Sequence, residues 1–326
     1  MIVAQCKHIC DINMEDDSMS GIVKNQHYVP VMYLERFATD NKRICVWNLS
    51  DDRILTRQHP RNFAAKRYFY DANKIELAKA LNEMRKIYPD LVSNIDFFDE
   101  QLLEKALSRV EDDAKKIMDS ICENTEELYD KTNMQKLIIF LHELAYRSLK
   151  YRNNLEDLQG QLIASLRRIG ISQEQVKGME SSAKDKQLYQ LMGISPLLET
   201  AEMLIENYNW YIGNVKGDMK LLISDNPMQG IINGLNDICF PLSGNKAIIF
   251  RIKNPDSPIL STDIPNGNEI ELSHKSVLTY NAVQLLYADK HIFGDKNSLS
   301  ILKLFTDRNG GYIKIFGDKP TLHESF

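Results

Sequence analysis

The chain has 326 residues, of which 43% are hydrophobic and 26% are charged, and its formal net charge is −5 at pH 7. This composition is that of an ordinary globular protein, long enough to bury a core without disulfides. The negative charge excludes a protein that attracts nucleic acid over its whole surface. The sequence has no run of 18 apolar residues, which excludes a transmembrane helix.

Five cysteines are scattered along the chain in an odd count, without a C-x-x-C motif. This pattern indicates a reducing compartment, so we expect five free thiols. The first residues lack the cationic start and apolar segment of a signal peptide, and the cytoplasm is therefore the expected location.

The N-terminal part is predicted to be a short β/α cap. Residues 1–22 are polar and weakly patterned, which predicts a loose extension ahead of one large domain over 23–326. Pro30 fits the start of a short apolar helix. Residues 43–49 then alternate like a half-buried strand, which can form a hairpin with 53–57.

The middle of the chain is predicted to be helical. From about Phe97 to Ile121, apolar residues recur at helical spacing. A second helix over 134–149 is apolar on every side between Leu137 and Leu141, which predicts central burial. Further helices are expected over 154–168 and 196–206, with a polar loop over 173–186.

After Asn207 the pattern changes to strands. Residues 210–213 and 221–224 are predicted to pair through a turn at 216–218. The remaining predicted elements are strands over 238–242, 247–252 and 311–316 and a helix over 276–288. The order predicts an α+β fold with an N-terminal cap, a central helical layer and a C-terminal mixed sheet, and a subdivision near 207 is open.

Charge is unevenly distributed along the helical part. Residues 89–130 carry 13 acids against 4 bases, and residues 131–170 carry 7 bases against 3 acids. Such runs are typical of solvated helix faces that complement one another. The alternative is a modest basic groove for a phosphate-bearing ligand, where nucleic-acid binding would be weak and salt-sensitive.

Several familiar site motifs are absent from the sequence. His142 begins a zincin-like H-E-x-x-H pattern, but Tyr146 stands in place of the second histidine. Cys6, His8 and Cys10 lack a partner cluster, so no structural zinc motif is present. Glycine-rich nucleotide loops are also missing, whereas a divalent metal cofactor remains open.

The string from Gln26 to Phe37 resembles the signature H-x-x-P-x-x-Y-L-x-x-F that opens the bacterial domain-of-unknown-function family 4238. The resemblance continues to about residue 295. Further matching segments are Arg61–Ala65, Phe69-Tyr70, Leu103-Glu104, Val110-Glu111, Arg147, Arg152, Ser224–Pro227, Phe240–Ser243 and Asn281. The chain departs from the family after Arg147, where it has Ser148-Leu149-Lys150-Tyr151. The resemblance implies no established activity, only a suggested role in bacterial conflict or phage defence.

Three residues are predicted to be catalytic. His27, just before the first helix, can act as an acid–base group or metal ligand, or tie its loop by a hydrogen bond. Asp225 follows a strand and either faces a pocket or forms a turn, with Asn226 as the turn residue and Asp225 the freer one. Arg147 either grips an anion or pairs with Glu143 one turn earlier.

Three further residues are predicted to bind ligand, with Arg152 expected to be exposed. They are Asn226, Arg152 and Arg36. Glu104 and Glu111 lie seven residues apart on one helix line, about 10 Å from each other, which favours salt bridges to the neighbouring basic helix over a shared metal.

The function we expect is an enzyme in which His27, Arg147 and Asp225 line one cavity and act on a phosphate-bearing substrate, possibly nucleic acid. The alternatives are a non-catalytic ligand- or protein-binding module that uses the same cleft, and a purely structural role for every motif.

Overall fold

A computed structural model describes residues 23–39, 41–71, 102–172, 182–255 and 259–309. The predicted extension over 1–22, the start of the long helix near Phe97, most of the predicted loop over 173–186 and the predicted strand over 311–316 lie outside these residues. Within them, no helix is long and apolar enough to cross a membrane.

In the N-terminal part, the residues that the structure describes form four strands and one short helix. They are β1 (Asn25–His27), α1 (Val31–Glu35), β2 (Ile44–Asn48), β3 (Arg53–Gln58) and β4 (Ala65–Arg67). Pro30 is the N-cap of α1, as predicted, because its fixed φ of −54° leads directly into the helix. The predicted hairpin is the antiparallel pair β2–β3, while β1 pairs with β4.

Five helices follow in the described middle of the chain. They are α2 (Leu102–Glu123), α3 (Lys131–Tyr146), α4 (Leu149–Arg168), α5 (Ala183–Met192) and α6 (Ile194–Asn207). The expected loop over 173–186 is wrong at its end, since Ser182 forms a capping box with Asp185 and starts α5. The start of α5 is polar, so hydrophobic periodicity does not reveal it, whereas its N-terminal capping residues do.

The described residues of the C-terminal part form six strands and three helices. They are β5 (Tyr208–Val215), β6 (Ile223–Ser224), α7 (Gln229–Ile232), β7 (Asp237–Pro241), β8 (Lys246–Ile252), β9 (Glu269–Leu272), α8 (His274–Tyr287), β10 (His291–Gly294) and α9 (Lys296–Arg308). One mixed sheet has the order β7-β8-β5-β9. The fold is therefore α+β, as predicted.

The predicted pairing of residues 210–213 with 221–224 is wrong. β5 pairs with β8 and β9, whereas β6 pairs with β10 in a second sheet of order β3-β2-β10-β6. A turn composition between two apolar runs does not determine which strand is the partner. The second sheet joins the N-terminal hairpin to the C-terminal strand β10.

Helix α3 lies at the centre of the main core, as the all-apolar stretch predicts. Every residue from Leu137 to Ala145 is buried. Tyr33 of α1 stacks on Phe240 of β7 at 5.4 Å between ring centroids, and its hydroxyl donates to the Pro241 carbonyl at 2.8 Å. The first helix is thereby fixed against the C-terminal sheet, which positions the residues just before it.

Candidate functional site

Arg147 lies in a two-residue break between α3 and α4. Ser148 leaves helical geometry and caps α4 by accepting from the Tyr151 N–H at 3.0 Å, so the predicted helix over 134–149 ends early. Arg147 is the C-cap of α3 and only 1% exposed. The break directs a guanidinium into the interior rather than along the helix surface.

Each nitrogen of the Arg147 guanidinium has a protein partner. Nη1 donates to Glu111 Oε1 at 2.8 Å, Nη2 to the His27 carbonyl at 2.6 Å, and Nε to the Tyr70 hydroxyl at 3.2 Å. The predicted ion pair with Glu143 is therefore replaced by one with Glu111 on α2. Arg147 supports the site from within and is not exposed to grip an anion.

His27 ends β1 and is half-buried. Its Nε2 lies 3.1 Å from the Arg61 carbonyl. Because a carbonyl only accepts, Nε2 carries the proton and Nδ1 keeps the lone pair. Burial lowers the pKa of His27 despite the opposing carbonyl bond and the Glu111 charge, and Arg147 and Arg61 lower it further. The ring is thus a neutral base at pH 7.

Two glutamates beside Arg147 have raised pKa values. Burial raises the pKa of Glu104 to about 7, opposed by Arg147 and reinforced by Glu111. Burial also raises the pKa of Glu143 well above its ordinary value, opposed by the Arg147 charge. Glu104 Oε2 is buried without a hydrogen-bond partner in the described structure. The expected salt bridge to the neighbouring helix forms at Glu111, and Glu104 stays titratable.

Asp225 supports the turn between α8 and β10. It is 1% exposed, and its carboxylate accepts the backbone N–H groups of Asp289, Lys290 and His291 at 2.8, 2.8 and 3.1 Å. The expectation that Asp225 is the freer residue of its motif is therefore wrong. Three N–H groups already use the acceptor capacity that a catalytic carboxylate would need.

The surroundings of Asp225 nevertheless extend toward His27 through Tyr28. Burial is the main cause of the raised pKa of Tyr28, and the negative charges of Asp225 and Asp289 raise it further. The structure brings His27 and Arg147 into contact and places Asp225 within electrostatic reach of the next residue. That all three line one cavity stays a prediction.

The two arginines predicted to bind ligand are engaged within the protein. Arg152 is 7% exposed, donates to Gln187 Oε1 at 2.6 Å and lies 3.6 Å over the Phe69 ring. Its predicted exposure is wrong, and burial lowers its pKa to about 10. Arg36 donates to the Leu242 carbonyl at 2.6 Å and pairs with Asp119. Both side chains brace loops against helices.

Asn226 holds the remaining predicted binding position. Its amide nitrogen donates to Gln229 Oε1 at 2.9 Å and to the Tyr287 carbonyl at 3.1 Å. Its Oδ1 is buried without a partner in the described structure, and Asn226 lines a narrow pocket together with Asp237 and Tyr280. The pocket has room for about one water molecule, which suits an internal water better than a substrate.

Residues outside the predicted set also belong to the site around Arg147. Tyr70 bonds both to Arg147 and, at 3.3 Å, to the His27 carbonyl. The sequence signal for Tyr70 is the resemblance of the Phe69-Tyr70 segment to the family, because an aromatic pair by itself usually indicates core packing. Among the described residues, no three His, Cys, Asp or Glu side chains are arranged to hold a metal ion. His142, the start of the failed zincin pattern, binds the Gln190 carbonyl at 2.8 Å.

Two titratable groups lie within the electrostatic influence of Arg147. A neutral histidine and a glutamate with a pKa of about 7 flank one buried ion pair, and the Arg147 charge acts on both. Two titratable groups whose pKa values are shifted by burial in one site are typical of acid–base chemistry, although structural networks also perturb pKa values.

No curated protein and no solved structure matches the chain. The model of a family described as protein of unknown function, DUF4238, matches residues 25–298 and so includes His27, Arg147 and Asp225. The chain belongs to that family.

Proposed function

We propose that the protein is an enzyme that acts on a phosphate-bearing substrate, with His27 as the general base and Glu104 as the general acid. The observation that supports this most is the shared influence of Arg147 on a neutral histidine and a glutamate with a pKa of about 7. Near pH 7 the base is ready to accept a proton and the acid is partly protonated, which is the combination that acid–base catalysis needs.

A cationic rim beside His27 supports the choice of substrate. Arg61 is exposed and near enough to lower the pKa of His27. In the β1–β4 pair, His27 is opposite Ala65 and Asn25 is opposite the exposed Arg67. Because cross-strand partners share a face, Arg67 lies on the face of His27. A phosphate can be bound there by two guanidinium groups.

The proposed reaction is hydrolysis of a phosphate ester. His27 Nδ1 takes a proton from the attacking water as the new P–O bond forms. Glu104 gives its proton to the leaving oxygen as the old P–O bond breaks, and the two groups then exchange the proton back through solvent. Arg147 contacts neither reacting atom. Its role is to position the His27 backbone and to pair with Glu111.

Nucleic acid is the larger substrate that this chemistry would fit. The net charge of −5 leaves only local contacts for binding, so the affinity is expected to be weak and to fall steeply with salt. The bases of residues 131–170 contribute less than their number suggests, since Arg147 and Arg152 are buried and Lys136 pairs with Asp113.

Turnover of phosphodiester substrates by the full chain tests the proposal. Bis(p-nitrophenyl) phosphate, single-stranded DNA and RNA are offered with and without a divalent cation. We expect His27→Gln and Glu104→Gln each to reduce turnover by about 10²–10⁴-fold. The matched controls are His274→Gln and Glu123→Gln, both at exposed positions, which should keep full activity.

A binding module is the alternative, and the same proteins distinguish it. Salt-sensitive binding of a phosphodiester that is lost in Arg61→Gln, together with no turnover under any condition, favours the binding module. Turnover that is equal in the wild type and in His27→Gln contradicts the enzyme assigned here.

We also propose, from the resemblance, a role in bacterial conflict or phage defence. The test is the growth of bacteria that express the full chain or its His27→Gln variant, with and without phage. Protection or toxicity that depends on His27 supports the role, whereas identical growth of both strains under all conditions contradicts it.

A further inference from the structure

The second half of α4 projects from the core. Near its start, Tyr151, Arg152 and Asn154 are buried. Further along, Leu158 is 37% exposed, Leu162 is 54% exposed, and Ile169, the C-cap of the helix, is 75% exposed. Apolar side chains that follow one another along one exposed helix are typical of an interaction surface.

Five apolar residues of this half form one stripe, while Ile163 lies about 100° to one side of it. Leu155, Leu158, Leu162, Leu166 and Ile169 are separated by three, four, four and three residues. At about 100° per residue, the other four lie within about 40° of the direction of Leu162. This narrow stripe is the pattern of a helix that packs against one other helix.

The stripe is symmetric about Leu162, and so are the charges beside it. Leu155 and Ile169 are each seven residues away, and Leu158 and Leu166 are each four away. Two acids, Glu156 and Asp157, stand six and five residues before Leu162, and two bases, Arg167 and Arg168, stand five and six residues after it. Reversing the direction of the helix thus exchanges apolar with apolar and acid with base.

We propose that two copies of the chain associate through this stripe, as an antiparallel helix pair with its twofold axis at Leu162. In that arrangement Leu155 meets Ile169 of the partner subunit, and the partner's Leu166 meets Leu158. Glu156 lies on the same flank as the partner's Arg167, and Asp157 lies on the same flank as the partner's Arg168, each within the rise of one residue. The contact is self-complementary, as a twofold interface requires.

The charge pattern favours this occupant over two others. A parallel pair of copies would set the acids beside the acids and the bases beside the bases, which is repulsive. A membrane surface attracts helices whose polar face is basic throughout, whereas here one end carries Glu156 and Asp157. Because these charged residues are exposed, they determine whether the two helices pair antiparallel or parallel and add little to the affinity of the dimer.

The interface is small, and this sets the expected affinity. From Leu155 to Ile169 the helix runs for about 21 Å. One helix pair of that length buries less than the roughly 1,200–2,000 Å² of a standard stable interface. We therefore expect a weak dimer, with a Kd on the order of micromolar, which forms as concentration rises.

Sedimentation of the full chain from about 1 to 300 µM, bracketing the expected Kd, tests the association. We expect the mass to rise toward that of two copies, and Leu162→Glu to weaken association at least tenfold by opposing two carboxylates at the axis. The matched control is Leu304→Glu on α9, because Leu304 is 53% exposed against 54% for Leu162. The control should associate like the wild type.

Cross-linking tests the direction of the pair. The two single variants Leu155→Cys and Ile169→Cys are mixed in equal amounts under mild oxidation, and we expect a disulfide-linked dimer that contains one of each. Either variant by itself should form no more disulfide-linked dimer than the wild type. Abundant dimer from Leu155→Cys alone would indicate a parallel pair and overturn the proposal. A wild-type chain that stays monomeric up to 300 µM also overturns the proposal. If that monomer binds anionic vesicles and Leu162→Glu abolishes the binding, the stripe is a membrane-binding surface instead.

Discussion

Replacing Arg147 by methionine should lower the free energy of unfolding more than the loss of an exposed ion pair between α2 and α3. The guanidinium is 1% exposed and joins Glu111, Tyr70 and the His27 carbonyl at 2.8, 3.2 and 2.6 Å. Methionine fills much of the volume but donates no hydrogen bond. It leaves Glu111 without its cation, and it removes the Arg147 hydrogen bonds to the Tyr70 hydroxyl and the His27 carbonyl.

Breaking a buried pair by removing one partner typically costs about 3–5 kcal/mol. We expect Arg147→Met to fall in that range, because three of its contacts are lost together. The matched control is Lys136→Met, since Lys136 pairs with Asp113 at 2.9 Å between the same helices α2 and α3 but with side chains 29% and 40% exposed. An exposed pair contributes about 0–1 kcal/mol.

The assay is equilibrium urea unfolding of the full-length variants, followed by circular dichroism at fixed pH and salt. A double-mutant cycle with Glu111→Gln isolates the coupling between the two side chains. If Arg147→Met costs no more than Lys136→Met, the guanidinium does not hold the site together, and the structural role assigned to Arg147 is refuted.

Three further predictions concern the proton on Glu104, the cysteines and the cationic rim formed by Arg61 and Arg67. Glu104 binds its proton more tightly when folded, so stability falls as pH rises from about 4.5 to about 7, and Glu104→Gln should flatten that fall in urea unfolding series. Thiol counting in denaturant without reductant should find five groups; Cys45, Cys122 and Cys239 are free thiols, whereas Cys6 and Cys10 lie outside the described residues. Binding of single-stranded DNA, followed by fluorescence anisotropy, should weaken about sevenfold from 50 to 200 mM salt, as expected for two phosphate contacts. Salt-insensitive binding would exclude the rim as its main source.

Periodic patterns predicted the helices of this fold better than the strand partners. The observed α8, His274–Tyr287, matches the helix predicted over 276–288, and the hairpin β2–β3 was visible because its strands are adjacent in sequence. The pairing of β10 with β2 joins strands more than 240 residues apart. No local pattern identifies that partner. A strand that is buried on both faces is a continuous apolar run, and this run is the same whichever strand it pairs with.

Sequence order located the site better than it assigned the roles of its residues. The motifs around His27 and Arg147 do meet, but which acid pairs with Arg147 depends on the break at Ser148, a residue that caps the next helix. Asp225 and Arg152 were misjudged for a shared reason. The backbone groups that engage them, around Asp289 and at Phe69, come from distant segments.

The pH dependence of phosphodiester cleavage tests the central claim most directly. Catalysis needs His27 neutral and Glu104 protonated, so the rate should rise through the lowered pKa of His27 and fall above the Glu104 pKa of about 7. We expect an optimum at mildly acidic to neutral pH, with the alkaline limb lost in Glu104→Gln. A rate that climbs steadily up to pH 9, with the same profile in Glu104→Gln, would contradict the proposed acid–base pair.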